Sequence, residues 1–190
     1  MENDSTGKIK RFLRVDLDTL QSALDNTSYS ISHYLDLETG EVMTVQSDAE
    51  QEWEALYSEW ESTGRASDIE TFMEEAGMPD WMVENTRDAA RIEDGYGSRY
   101  VPVPHADSGE GYRDMDDFVD TVRDELLRSR LRQALDGKRP FRRFKDTLFG
   151  FPQERERWFS FKDERLAQRA FDWLEALGIT AIVSDDASEE

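Results

Sequence analysis

Cysteine is absent from this chain of 190 residues, and histidine occurs only twice. The lack of cysteine excludes disulfides, thiolate nucleophiles and thiolate metal sites, and it is consistent with a reducing compartment. No apolar stretch approaches the roughly 18 residues that a membrane-spanning helix needs. The first residues, MENDSTGKIKRF, contain no apolar run of the kind found in signal peptides. We therefore expect a soluble, cytoplasmic protein that does not bind membranes.

Recognised catalytic motifs are also missing. The chain contains no P-loop and no GxGxxG, HExxH or GxSxG pattern. The two histidines, His33 and His105, lack the spacing of a metal motif. If the strands that carry them pair, a metal or acid–base site with Asp36 or Asp107 is one hypothesis. Incidental placement is the favoured interpretation.

Clustered carboxylates offer two further sites for a divalent cation. The first cluster is Asp36, Glu38 and Glu41, and the second is Asp114, Asp116 and Asp117. Turn chemistry explains the first cluster, and the dipole at a helix start explains the second. We therefore assign no catalytic, metal-binding or cofactor-binding residues and expect no cofactor.

Basic residues are scarce, with 23 Lys and Arg against 43 Asp and Glu, which gives a formal net charge of −20. A charge this far from zero argues against general affinity for nucleic acid or anionic lipid. The distribution is uneven, because residues 123–169 contain 14 basic and 8 acidic residues. Residues 48–94 contain 15 acidic residues and only three basic ones. The chain therefore has one cationic region on an anionic body.

The clearest local pattern is SYSISHYLDLETGEVMTVQSD. Apolar and polar side chains alternate from Tyr29 to Leu35, and the apolar pattern resumes at Val42 after a turn. Gly40 in that turn supplies the positive φ that a short hairpin loop requires. This pattern predicts a β-hairpin.

A third strand is predicted at RYVPVP, residues 99–104. Tyr100 and Val101 favour an extended backbone, whereas Pro102 and Pro104 exclude a central position in a sheet. We therefore expect an edge strand that pairs with the hairpin.

Apolar residues three and four positions apart predict helices in most of the remaining chain. Asp16 or Asp18 is expected to cap the first helix, Ser67 one in the acidic segment, and Asp107 or Ser108 a later one. Side chains expected on buried helix faces include Leu20, Trp53, Met115, Phe118, Leu126, Leu127, Leu131, Phe141, Phe144, Leu148, Trp158 and Trp173.

These elements predict an α+β fold: a small antiparallel sheet, made of the hairpin and the edge strand and covered by several α-helices, with an acidic helical insertion. We expect residues 1–190 to form a single domain. Within it, residues 9–47 would form the first helix and the hairpin, 48–95 the acidic insertion, and 96–180 the edge strand and the C-terminal helices.

Five short segments occur in an order that resembles a known family. They are YLDLETGEV, RYVPVP, FRRFKDTL, WFSFKDERL and AFDWLEALGI. Together they resemble the uncharacterised bacterial protein family 0158 of the UPF series, over roughly residues 17–45 and 99–179. The resemblance implies a soluble bacterial protein of mixed helix and sheet, with no established activity, cofactor or catalytic residues. The acidic segment is longer than the linker that the family implies, so it is interpreted as an insertion.

The cationic region is the best candidate for a partner-binding surface. Its predicted partner-binding residues lie on both sides of the break FGFP and are Arg139, Arg142, Arg143, Lys145, Arg155 and Arg157. Cations combined with aromatic rings suit phosphate backbones and base stacking. Three interpretations stay open: pairing with the chain's own acidic segment within a fold or dimer, binding of an acidic protein, and binding of nucleic acid.

The favoured function is a non-enzymatic binding or regulatory protein that uses this basic, aromatic helical surface. A protein partner or self-association is the first expectation, and nucleic acid is the second. Two alternatives come from other classes: a carboxylate- or metal-dependent enzyme, and an acidic mimic of nucleic acid that uses residues 48–94.

Overall fold

A computed structural model describes residues 11–64 and 69–182. The contacts divide the chain into two compact units, the first drawn from Met1–His105 and Leu177–Glu190 and the second formed by Ala106–Ala176. The elements in chain order are β1 (Arg11–Arg14), α1 (Leu17–Leu24), β2 (Ile31–Asp36), β3 (Val42–Gln46), α2 (Ser47–Ser62), α3 (Ile69–Glu75), α4 (Asp80–Asp94), β4 (Tyr100–Pro102), α5 (Ser108–Thr121), α6 (Glu125–Leu135), α7 (Pro140–Phe149), α8 (Pro152–Ala176) and β5 (Ile179–Ile182).

The first unit contains the predicted antiparallel sheet, with strand order β3-β2-β4. The hairpin pairs Ile31 with Gln46 and Leu35 with Val42. On the other side of β2, Tyr34 pairs with Pro102. The α+β fold class and the edge position of β4 are therefore confirmed. A proline is tolerated there because the outer side of an edge strand needs no ladder hydrogen bond.

Gly40 lies in the hairpin turn and has the positive φ that the sequence predicts. Its φ is +81°, a conformation that other residues rarely adopt. A Cβ at this position would also collide with the carbonyl group of Arg14. The turn thus requires glycine for its backbone conformation and for the close approach of β1.

The helices α2, α3 and α4 share one apolar cluster with the three-stranded sheet. Trp53 of α2 and Met73 of α3 are buried in it beside Val45 and Tyr100 of the sheet. The indole N–H of Trp53 donates a hydrogen bond to the carboxylate of Glu93. The acidic segment therefore supplies apolar side chains to the core of the first unit. Its boundaries as an insertion stay a prediction, and the proposed cap Ser67 lies outside the described residues.

A two-stranded parallel sheet joins β1 to β5, from Arg11 opposite Ile179 to Arg14 opposite Ile182. Short strand-like runs are visible at both ends of the sequence, but their pairing is not. Leu13 and Ile179 are buried on one face of this sheet, whereas Phe12 is half-exposed on the other. Among the described helices, none combines the length and apolarity that crossing a bilayer requires.

The second unit is a bundle of four helices around one aromatic and aliphatic core. Asp107 caps α5 by accepting a hydrogen bond from the Gly109 N–H, and Asp124 caps α6 through the Leu127 N–H. The buried members of its core are Met115, Phe118, Val119, Val122, Leu127, Leu131, Leu135, Phe144, Leu148 and Trp158. The Asp107 cap and most of this core match the predictions, whereas the Asp124 cap was not predicted.

Three side chains depart from the predicted core. Leu126 is 63% exposed, because the buried stripe of α6 runs through Leu127 and Leu131 and Leu126 points about 100° away from Leu127. Phe141 is 40% exposed and covers α5 at Gly111, where an added Cβ would lie 3.2 Å from the ring. Trp173 is only partly buried.

Candidate functional site

Helix α7 has one buried face and one cationic face. Phe144 and Leu148 are buried and hold the helix in the core of the second unit. Arg142, Lys145 and Phe149 are exposed, and their spacing of three and four residues places them in one row on the outer side. The row from residue 142 to residue 149 extends about 10 Å along the helix axis, since each residue rises about 1.5 Å.

Most of the basic side chains of this helix lack a carboxylate partner. In the described part of the chain, Arg139, Arg143 and Lys145 form no ion pair. Arg142 has one, with 3.7 Å between its Nε and Oδ2 of Asp146, but both side chains are at least 70% exposed. Such a pair contributes less than about 0.5 kcal/mol. The outer side of α7 therefore carries surplus positive charge that a partner can neutralise.

Arg139 precedes α7 in a left-handed conformation, with φ of 59° and ψ of 55°. Among residues 11–64 and 69–182, Arg139 is the only non-glycine residue with a positive φ. This conformation costs an L-residue about 1–2 kcal/mol relative to glycine. The next residue, Pro140, suits the first position of a helix. Its ring fixes φ at a helical value, and the N–H that proline lacks would have no partner within the helix at that position. Strain of this kind is found disproportionately at functional sites.

The break between α7 and α8 exposes an aromatic ring beside an arginine. Phe149 is 75% exposed, and the guanidinium carbon of Arg155 lies 5.9 Å from its ring centroid. A cation at this distance from a ring is weakly attracted to its π-face. One turn beyond Arg155 on α8, Phe159 is 52% exposed. Here Arg139, Arg142, Arg143, Lys145, Phe149, Arg155 and Phe159 are together called the cationic aromatic surface.

Arg157, the sixth predicted partner-binding residue, is engaged within the second unit. Its Nη1 lies 2.5 Å from the Glu154 carboxylate, and its Nη2 donates to Oγ1 of Thr121 at 3.2 Å. Its guanidinium also lies 5.7 Å from the ring centroid of Phe118. Arg157 thus ties α8 to α5, and its assignment to a partner surface stays a prediction.

Sequence reasoning named the cations of this surface but not its rings. We expected the aromatic side chains of the C-terminal half to turn inward, as Phe144 and Trp158 do. Phe149 differs because it follows Arg142 and Lys145 at helical spacing and so falls on the polar face of α7. That spacing is visible in the sequence, but it applies to Phe149 only because α7 extends to this residue, and the pattern alone does not determine where the helix ends.

Comparison with known proteins settles the family. A family model described as the uncharacterised protein family UPF0158 matches residues 85–189, more than half of the chain. The chain belongs to this family. A relative, the UPF0158 protein PA5073 of Pseudomonas aeruginosa, is 26% identical over 166 residues, covering 87% of this chain and 84% of the relative. No solved structure matches the chain.

The UPF0158 match includes all four helices of the second unit and therefore every residue of the cationic aromatic surface. It confirms the family resemblance and contains four of the five segments, all except YLDLETGEV. The match begins in α4, so the first helix and the hairpin lie outside it.

The hairpin carboxylates of this UPF0158 protein are held by an arginine. Asp36 is buried and accepts hydrogen bonds from Nε and Nη2 of Arg99, the shorter of them 2.7 Å. Glu38 lies 2.7 Å from Nη1 of the same guanidinium. The Glu38 N–H also donates to Asp36, as turn chemistry predicts. These contacts give the cluster a structural role in closing the hairpin onto β4.

No group of three or more metal-ligating side chains occurs in the residues that the structure describes. In the second cluster, Asp114 binds Arg169 and Asp117 binds Arg165. The pKa of His33 lies below its ordinary value because the ring is partly buried and because the charge of His105 opposes protonation. These ion pairs give Asp114 and Asp117 structural roles, and Asp114 lies in the middle of α5, where the expected dipole at the helix start does not account for it.

Because of the Asp36–Arg99 pair, we expect the free energy of unfolding to depend on pH in the acidic range. Burial raises the pKa of the Asp36 carboxyl, but the hydrogen bonds from Arg99 and from the Glu38 and Thr39 turn outweigh it, so the pKa is lowered. The stabilisation is complete above the ordinary carboxyl pKa of about 3.9 and is lost as pH falls through the lower folded-state value. Asp36→Asn should therefore lower the free energy of unfolding by about 2 kcal/mol at neutral pH.

That difference between Asp36→Asn and the wild type should shrink in acid, which urea denaturation at a series of pH values would measure. Asp120→Asn is the matched control, because its carboxylate is 67% exposed beside Arg132. If Asp36→Asn lowered the free energy of unfolding by the same amount at every pH, this account of the Asp36–Arg99 pair would be contradicted.

Proposed function

We propose that this UPF0158 protein is a non-enzymatic binding protein that captures an anionic macromolecule on its cationic aromatic surface. The observation that carries the proposal is the combination of Arg139, Arg143 and Lys145 without ion pairs in the described chain and an exposed Phe149 ring. Five of the eight residues from Lys138 to Lys145 are basic and none is acidic. These side chains are exposed, and in the described part of the chain Arg142 is the member of the group on α7 that has an ion pair.

The strongly acidic composition does not prevent this binding. At physiological ionic strength the Debye length is about 8 Å, so exposed charges farther away are largely screened. A partner that contacts α7 therefore responds mainly to the local cations. The net negative charge of the chain slows the approach of an anionic partner and opposes its nonspecific attachment. This arrangement favours selective capture over general adhesion.

The two buried carboxylates of the candidate cation clusters are engaged in structural contacts. Asp36 is held by Arg99, and Asp114 by Arg169, so each already has a charged partner. These contacts make the binding hypothesis preferable to a carboxylate- or metal-dependent enzyme.

Reversing two charges on α7 is expected to abolish capture without disturbing the fold. In the Arg142→Glu/Arg143→Glu variant both side chains are exposed, so the circular dichroism spectrum should stay unchanged. Loss of two charge-assisted contacts, at about 1.5 kcal/mol or more each, should weaken binding at least about 100-fold. The measurement is co-purification from the native host at graded salt concentrations, with both protein and RNA quantified.

Arg91→Glu/Arg113→Glu is the matched control. It makes the same charge change on α4 and α5, at side chains that are 58% and 70% exposed and have only weak pairs within their own helices. The control should capture its partner as the wild type does. Equal recovery by the α7 variant and the wild type would overturn the proposed function.

A further inference from the structure

We propose that the anionic partner is a single-stranded nucleic acid, with phosphates bound along α7 and a base stacked on Phe149. This inference rests on the proposed function and identifies the partner class. It is carried by the alternation of cations and exposed rings, because net charge alone would suit an acidic protein equally well.

The Phe149 ring is placed as a stacking platform. It is 75% exposed, although a large aromatic side chain of this size is ordinarily buried. At the next residue, Gly150, no heavy atom outside its two chain neighbours lies within 4 Å of the position where a Cβ would stand. The Arg155 guanidinium lies near the same ring, at 5.9 Å from its centroid. A base that enters this open space can stack on the ring and remain beside a cation.

Neighbouring cations are spaced to follow a nucleic-acid backbone. Arg142 and Lys145 precede Phe149 on the same helical row, within about 10 Å. Arg139 and Arg143 are exposed beside them at the start of the helix. Arginine binds phosphate through two parallel hydrogen bonds, and lysine binds it as a point charge. The phosphates on one side of a stacked nucleotide would thus meet several donors that have no carboxylate partner in the described chain.

A second ring extends the pattern along α8. Phe159 follows Arg155 by four residues, which places it on the same side of the helix and about 6 Å farther along its axis. It is 52% exposed. Rings that alternate with cations on one surface are typical of proteins that bind single strands, where stacking contributes about 1–3 kcal/mol per base. A duplex keeps its bases stacked on each other and cannot offer them to such rings.

The test is fluorescence anisotropy of the full chain with a labelled oligouridine of about 12 nucleotides, within the site sizes of single-strand-binding folds. The comparison probes are an abasic oligonucleotide of equal length, an RNA duplex and polyglutamate. The wild type should bind oligouridine more tightly than all three. Phe149→Ala should weaken oligouridine binding about 10-fold and leave abasic binding unchanged, whereas Phe149→Trp should restore the lost affinity.

Phe12→Ala is the control, because this ring is 49% exposed in the first unit and should not affect binding. Equal affinity for the abasic and base-containing strands, or tighter binding of polyglutamate, would overturn the inference. If no oligonucleotide binds but co-purification of a protein is still abolished by Arg142→Glu/Arg143→Glu, this inference is wrong and the proposed function stands. If that double variant captures its partner normally, the proposed function itself is wrong.

Discussion

Replacing Phe118 with alanine should lower the free energy of unfolding by about 4 kcal/mol, within the range of about 3–5 kcal/mol for truncating a buried phenylalanine. Phe118 is 1% exposed and stands at the centre of the second unit. Its ring meets those of Phe144, Trp158 and Phe161 edge-on, with centroids 6.2, 5.3 and 5.6 Å away. Truncation removes all three contacts and leaves a cavity that rigid helices cannot fully close.

Phe159→Ala provides the control, since the same atoms are removed from a ring that is 52% exposed. We expect a change within about 0.5 kcal/mol for this surface substitution. Urea denaturation followed by far-ultraviolet circular dichroism measures both variants. A small effect at Phe118, or similar effects at the two positions, would contradict the division of the aromatic residues into a core group and a surface group.

Local patterns in the sequence predicted much of the fold, because the relevant interactions lie within a few residues. The hairpin followed from its alternation and from Gly40, whose φ is +81°. Helix starts followed from short side chains that accept backbone N–H groups, as Asp16 does for Asp18 and Thr19. The caps and the positive φ of Gly40 depend on neighbouring residues, whereas the close approach of Arg14 to Gly40 is a further contact that the pattern does not show.

Contacts between distant residues could not be predicted in the same way. The pairing of Arg11 with Ile179 joins the two ends of the chain, and neither strand contains a signal for its partner. The carboxylate of Asp114 was attributed to the helix dipole, whereas the structure pairs it with Arg169, which lies 55 residues away. Many arginines in the cationic region could have paired with Asp114, and only the packing of the helices determines that Arg169 does so.

The candidate surface was predictable in charge but not in shape. The density of basic residues around Arg142 is a property of the sequence, so the cations were identified directly. The exposure of Phe149 depends on where α7 ends, and helix ends are uncertain by one or two residues in any pattern-based prediction. One further helical turn would have changed which neighbours cover that ring. Exposure thus required the structure.

Breaking the Asp114–Arg169 pair should destabilise the protein less than truncating Phe118 but more than a substitution on the surface. Asp114 lies on α5 with a side chain only 6% exposed, and both its oxygens accept from Nη2 of Arg169, at 2.6 and 2.7 Å. Removing one member of a fully buried pair costs about 3–5 kcal/mol, because the other charge is left without compensation. Arg169 is 26% exposed and also contacts Glu110, at 3.2 Å. We therefore expect Asp114→Ala to cost about 2–3 kcal/mol, below that range.

A double-mutant cycle separates the pair from the rest of the helix interface. Asp114→Ala and Arg169→Met should each destabilise the protein in urea, and the double variant should be more stable than their sum predicts, by at least about 1 kcal/mol. Asp120→Ala is the control on the same helix: its pair with Arg132 has 67% and 60% exposed side chains and should contribute less than about 1 kcal/mol. Strict additivity for Asp114 and Arg169 would mean that their ion pair does not contribute to holding α8 against α5.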